Sequence, residues 1–183
     1  MLLKKTLLAG AMVVLGGFAL SASAATGTST SATFNVQITI QPVCTFAAGA
    51  GSNINFGDVP ADTATTSALL KSSSNINVTC SKGTPYIVGL ATSDGNAGTG
   101  HMAGTGSNTD EVPYSLFQDS AYSVVWGNTG TAVATPGNDY LSTGSTAGDG
   151  TGLAQTIPVY AQVTDPNFTP DTYTDTVTVS VTF

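Results

Sequence analysis

Strict period-two alternation at two places in the chain limits what it can fold into. In Phe34-Asn-Val36-Gln-Ile38-Thr-Ile40, four large apolar side chains alternate with Asn35, Gln37 and Thr39. Val177, Val179, Val181 and Phe183 alternate in the same way with Thr178, Ser180 and Thr182. Successive side chains of an extended strand point to opposite faces, so each stretch presents one apolar and one polar face. At about 3.3 Å per residue a seven-residue stretch spans roughly 23 Å, the length of a small sandwich domain. No window of about ten residues holds a 3.6-residue period, which argues against helices as the organising element.

The beginning of the chain reads as an export signal. Lys4 and Lys5 precede an apolar run from Leu7 to Leu20, and Ala22-Ser-Ala24 offers a small-x-small cleavage site before Ala25. As a membrane anchor the run is too short and lacks a basic stop-transfer flank. The 159 residues after position 24 (183 less 24) suit one domain with a sizeable core. They carry Lys71 and Lys82, no arginine and eleven acidic residues, a formal charge of −9. Nucleic acid is excluded as a partner, because phosphate contacts need clustered cations. The same shortage disfavours anionic membrane surfaces, and no later stretch is apolar enough to insert.

Two cysteines, Cys44 and Cys80, in an exported chain predict one disulfide. In the chain-entropy model a loop of about 37 residues gains roughly 3.5–4 kcal/mol from such a link. Ile76-Asn-Val78-Thr-Cys80 alternates, which puts Cys80 on the apolar face and lets it meet Cys44 across neighbouring strands.

Further strands are expected at Ile54–Phe56, Tyr86–Leu90 and Thr156–Val163, with the last strand running from Tyr173 to Phe183. Val112–Phe117 and Tyr122–Trp126 read as a hairpin around residues 118–121. Residues 61–74 are expected to be a loop with some edge pairing. Residues 94–110 and 127–152 are expected to be glycine-rich surface loops. About seven or eight short strands with turns between them predict an all-β sandwich. The long, uncharged strand 177–183 lacks the charge, proline or bulge that normally protects a sheet edge, so something is expected to pair there.

The residues hold no catalytic constellation. His101 is the single histidine, and no free cysteine remains to join it in a metal site. Asp94-Gly-Asn96 lacks the remaining spacing of a calcium loop and reads as a glycine-rich turn. Asp110-Glu111 reads as a solvated loop pair, and no Gly-x-Ser-x-Gly elbow is present. Tyr122 and Trp126 read first as core aromatics and second as a sugar-binding platform. No cofactor is expected, and the chain reads as non-enzymatic.

A series of short motifs carries a family resemblance. After Cys44 come Asn55-Phe56-Gly57, Val78-Thr-Cys80, Gly83-Thr-Pro-Tyr86 and Tyr114-Ser-Leu-Phe117-Gln-Asp119. Trp126-Gly127, Pro158-Val-Tyr160 and Asp171-Thr-Tyr173-Thr-Asp175-Thr-Val177-Thr-Val179 complete the order. Together they resemble the spore coat protein U domain family, which includes pilins of archaic, Csu-type chaperone–usher pili. The resemblance runs over essentially the whole chain after the signal. It implies an immunoglobulin-like β-sandwich that lacks its final strand and is completed by a donor strand. A periplasmic chaperone fills the gap first; an outer-membrane usher then replaces it with the next subunit's N-terminal strand.

By that resemblance, residues 1–24 are the signal peptide, 25–41 an extension carrying the donor strand, and 42–183 the pilin-type domain. Phe34, Val36, Ile38 and Ile40 fall where the donor's inserted residues lie, and Val177, Val179, Val181 and Phe183 border the groove. The implied partners are neighbouring copies of the chain, the chaperone and the usher. The implied place is the bacterial surface, reached through the periplasm, and the implied role is adhesion and biofilm formation. With room for one domain after the signal, the chain reads as a shaft subunit. Two alternatives stay open: a self-contained secreted coat domain whose first strand is Phe34–Ile40, and a secreted carbohydrate-binding module built on Trp126.

Overall fold

A computed structural model describes residue 27 and residues 30–47, 52–61 and 69–183. The signal peptide therefore lies outside the described residues. The chain divides between Thr39 and Ile40 into two units. In the first, residues 30–39 carry no strand, and Phe34, Val36 and Ile38 are 86%, 88% and 81% exposed.

The second unit is an all-β, immunoglobulin-like sandwich. Its described strands are β1 (Cys44–Ala47), β2 (Leu70–Cys80), β3 (Ile87–Ala91), β4 (Thr99–Ala103), β5 (Glu111–Phe117), β6 (Tyr140–Leu141), β7 (Ala154–Val163) and β8 (Thr178–Thr182). A five-stranded sheet has the order β1-β2-β7-β5-β4 and a three-stranded sheet the order β6-β3-β8. All pairings are antiparallel.

Alternation builds the large sheet. Ile76, Val78 and Cys80 of β2, Val112, Tyr114 and Leu116 of β5, and Ile157, Val159, Ala161 and Val163 of β7 are buried on its inner face. Against them the small sheet sets Val88 and Leu90 of β3, with Val179 and Val181 of β8 half-buried. The β3 run Ile87–Leu90 is buried at every position, so it departs from alternation and reads as a central strand. Trp126 fills the core between them at 0% exposure; its indole Nε1–H donates to the Val88 carbonyl at 2.7 Å. Cys44 and Cys80 lie directly opposite in the β1–β2 register and form the disulfide, as their shared face requires.

Several expected boundaries move. Residues 70–74, read as loop, are the first half of β2 and pair with residues 159–163 of β7. Their serines hid this, because sheet pairing here needs only the backbone. Thr99–Ala103, inside the expected 94–110 loop, is β4. Its glycine content reflects close packing. A Cβ on Gly100 would lie 2.8 Å from the Thr92 side chain and 2.9 Å from the Tyr114 hydroxyl. Residues 127–152 hold β6 and the buried Ser142, whose hydroxyl accepts from Tyr86 N–H and donates to Asp149.

Residues 122–126 return beside β5 through one bridge, Phe117 to Val125, and form no strand. The last strand starts at Thr178, so residues 173–177 lie outside it. Ile54–Phe56 and Phe34–Ile40, both expected as strands, pair with nothing in any ladder among the described residues. A strand-forming pattern needs a neighbouring edge to become a strand, and neither segment pairs with one among the described residues.

Candidate functional site

The sandwich is open along one side. A groove of about 710 Å³ has its floor on Ile76, Leu116, Val159 and Ala161 of the large sheet, with Leu90 and Val179 from the small one. A second hollow of about 540 Å³ shares Ile54, Phe56, Met102 and Tyr173 with it and extends over Leu70, Val112 and Val163. The two make one trench. Its floor follows β2 from Leu70 to Ile76, six steps of about 3.3 Å, or roughly 20 Å.

Neither wall of the trench is a regular strand. One wall is the segment around Ile54 and Phe56, whose side chains are half-buried and packed on the core. Ser72, on the same face of β2 as Ile76, holds this wall by donating its hydroxyl to the Asn55 carbonyl at 2.7 Å. The other wall is Thr172–Val177, leading into β8. Among the described residues β8 ends the small sheet and is paired on one side only, with β3.

The second wall is tied down by carboxylates. Asp171 accepts from Thr105 N–H at 2.7 Å, from the Thr105 hydroxyl, and from Asn108 Nδ2 at 2.9 Å. These hydrogen bonds, the one from the Thr105 hydroxyl foremost, hold its carboxyl well below the usual carboxylate range. Any stability it contributes is present above the ordinary aspartate pKa and is lost as pH falls through its own, lower value. Asp175 accepts from the Tyr114 hydroxyl at 2.6 Å. Burial opposes ionisation of Asp175, but the bonds from Tyr114, Ser93 and Thr176 outweigh it and lower its pKa.

Tyr114 is pushed far up, first by burial and then by donating to Asp175. Tyr86 is raised from an ordinary value near 10 to about 12, chiefly by burial. A raised folded pKa means stability that is complete below about pH 10 and lost as pH rises towards 12. Alkaline titration followed by tyrosine absorbance is expected to show these two ionising late, together with the alkaline loss of fold. Ionisation of either near pH 10 in the folded chain would contradict the burial argument.

Of the residues expected to border the groove, Val177 and Val179 line it. Val181 packs half-buried on the core, and Phe183 is 51% exposed and lies outside the lining. Of the expected donor residues, Phe34, Val36 and Ile38 are exposed as given above, and Ile40 is 82% exposed. The opposite wall, the floor and the Asp171–Asp175 tether were not singled out as site residues from sequence. Alternation marked Ile54 and Phe56, but only the empty space beside them gives that pattern a meaning.

The remaining candidates resolve simply. His101 Nδ1 lies 2.9 Å from Asp94 Oδ2 on the surface. No group of three or more metal-ligating side chains occurs among the described residues. Trp126 is wholly buried and offers no face to a sugar. Tyr122 packs edge-on against Phe117 and Tyr160, with Lys71 Nζ 4.1 Å above its ring. Among the described residues no helix is long and apolar enough to cross a membrane.

Comparison with known proteins gives three findings. The model of one family, the Spore Coat Protein U domain, matches residues 30–180. No curated protein sequence matches the chain. Among solved structures, the chain is similar to one in the crystal structure of the CsuC–CsuE chaperone–tip adhesion subunit pre-assembly complex from the archaic chaperone–usher Csu pili of Acinetobacter baumannii. That likeness has 26% sequence identity and a TM-score of 0.48, and covers 79% of this chain. This chain spans 40% of the length of that one.

Proposed function

The chain belongs to the Spore Coat Protein U domain family, and we propose that it is a structural pilus subunit that polymerises by donor-strand exchange. The observation that carries this reading is an apolar trench with no strand in it among the described residues, in a chain that leaves four alternating large apolar side chains more than 80% exposed. Both features are costly alone. Exposed apolar surface on this scale normally marks an interaction site.

The two features match in length and chemistry. Phe34–Ile40 and the Leu70–Ile76 floor are each seven residues, so counted by the same six steps of about 3.3 Å both span roughly 20 Å. Insertion adds main-chain hydrogen bonds along the free edge of β8 and lets Ile54–Phe56 become a strand on the donor's other side, the strand-addition mode of recognition. Each buried Phe, Val or Ile contributes about 1.5–3 kcal/mol, so four supply about 6–12 kcal/mol before ordering costs. Asn35, Gln37 and Thr39 then face water.

In this reading the donor comes from a neighbouring copy, a periplasmic chaperone occupies the trench before polymerisation, and an outer-membrane usher directs the exchange. The fibre stands on the cell surface and supports adhesion and biofilm formation. The contrary reading is a domain closed by its own first strand, Phe34–Ile40.

Deleting residues 30–40 tests the proposal. The variant is expected to keep its disulfide and to remain a chaperone-bound, soluble domain while forming no fibres by electron microscopy. Normal fibres from the deleted chain would end the donor assignment, and loss of the folded domain would favour the self-closed one.

A further inference from the structure

The trench wall Thr172–Val177 presents a physical problem. It borders an apolar floor without belonging to a ladder, so apolar attraction favours its collapse onto Ile76, Leu90 and Leu116. Among the described residues only one bridge, the reciprocal backbone bonds of Ala103 and Thr174 at 2.9 and 3.0 Å, ties it to a strand.

The other ties are side chains, and most run to the β4–β5 hairpin, with one more from Ser93, between β3 and β4, to Asp175. Asp171 holds Thr105 and Asn108 in the turn between β4 and β5, and also accepts its own neighbour's Thr172 N–H at 2.8 Å. Tyr173 accepts from Asn108 Nδ2 at 3.0 Å and donates to the Thr169 carbonyl at 2.6 Å. Asp175, four residues after Asp171, reaches the Tyr114 hydroxyl on β5 and accepts Thr176 N–H at 2.7 Å. Hydrogen bonds to ionised carboxylates are roughly twice as strong as neutral ones, which suits them to replace a missing ladder.

We propose that Asp171 and Asp175 are positioning residues for strand capture: by fastening the trench wall to the β4–β5 hairpin they hold the trench open before a donor arrives. This rests on the donor-strand reading and adds to it. A wall fixed in advance spares the incoming strand the cost of prying the sheets apart, so the effect falls on the rate of capture. Once the donor is seated, its own backbone and side chains hold the wall, and the two aspartates matter less.

The test compares two forms of the chain without its signal. One is the unaltered chain, offered a fluorescent peptide of residues 32–41. The other is filled, with a second copy of residues 32–41 fused after Phe183 through a Gly-Ser linker. Asp171→Ala and Asp175→Ala are expected to slow peptide association at least tenfold in the first form while leaving the melting temperature of the filled form within a few degrees. Asp171→Asn and Asp175→Asn keep an acceptor oxygen and are expected to restore much of the rate. Asp119→Ala removes a carboxylate with similar bonds, to Ser123 and Val124 away from the trench, and is expected to leave the rate unchanged. Unchanged capture in both alanine variants overturns the proposal. So does an equally large loss of stability in the filled form, which marks a structural role only. Failure of the unaltered chain to bind the peptide would sink the donor reading and this one with it.

Discussion

Subunits carrying Ile38→Asp are expected to stay monomeric under conditions in which the unaltered chain forms fibres. Ile38 sits on the apolar face of the alternating segment and is 81% exposed when unpartnered, so the substitution costs the free chain little. In the trench it removes the roughly 1.5–3 kcal/mol of an isoleucine's burial. It also brings a carboxylate into a trench whose floor, with Ile76, Leu116 and Val159, is apolar and cannot pair with it. The desolvation cost of an unpaired buried charge is several kcal/mol, even after the group responds by protonating. A combined loss of at least about 4 kcal/mol weakens each junction about a thousandfold. Gln37→Asp is the matched control. It puts the same charge one residue away on the opposite face and is expected to polymerise nearly normally, since a one-residue shift exchanges the faces. Fibre yield by electron microscopy, with the monomer's fold checked by circular dichroism, decides the matter. Normal fibres from Ile38→Asp, or equal loss from both variants, would contradict the assignment.

How much of this was legible in the residues depends on where the information sits. The second half of β2, β5 and β7 were plain, because Ile76, Val78, Cys80 and their partners obey a period that burial on one face imposes. The disulfide followed from two cysteines in a chain read as exported, and the same parity put Cys80 on the buried face. Leu70–Ser74 and Thr99–Ala103 were not legible, for they hold their places by backbone pairing and close approach. Gly98 shows why: it lies at φ +84°, where a Cβ would come within 2.4 Å of the Trp126 carbonyl oxygen. In sequence such a glycine looks like a turn.

The groove was half legible. Val177 and Val179 belong to a visible alternation, but the floor under them comes from β2, β5 and β7, and the wall opposite from Ile54 and Phe56. That arrangement depends on sheet order, and sheet order is a property of long-range pairing that no local pattern encodes. The tether at Asp171 and Asp175 was visible as a motif and silent as a mechanism, because its partners Thr105, Asn108 and Tyr114 lie more than sixty positions away.

Trp126→Ala is expected to destabilise the domain more than any other single core truncation. The indole is wholly buried, 5.4 Å from the Tyr140 ring, and donates to the Val88 carbonyl at the centre of the small sheet. Deleting a buried aromatic costs about 3–5 kcal/mol through lost transfer energy and the cavity left behind. Stranding the Val88 carbonyl adds a further penalty of about 1–3 kcal/mol. Against a domain stability of about 5–15 kcal/mol, this leaves a marginal or unfolded chain. Trp126→Phe keeps most of the ring and loses only the donor, so it is expected to fall between the two. Urea unfolding of the donor-filled form measures all three, and a Trp126→Ala domain with near-native stability would contradict the packing described. The comparison also removes an ambiguity about sugars. A side chain with no exposed surface cannot stack on a ligand, so any glycan retention that disappears in Trp126→Ala must track unfolding and be preserved in Trp126→Phe. Loss of retention in both variants, with the Phe form folded, would return the ring to the surface and reopen the carbohydrate reading.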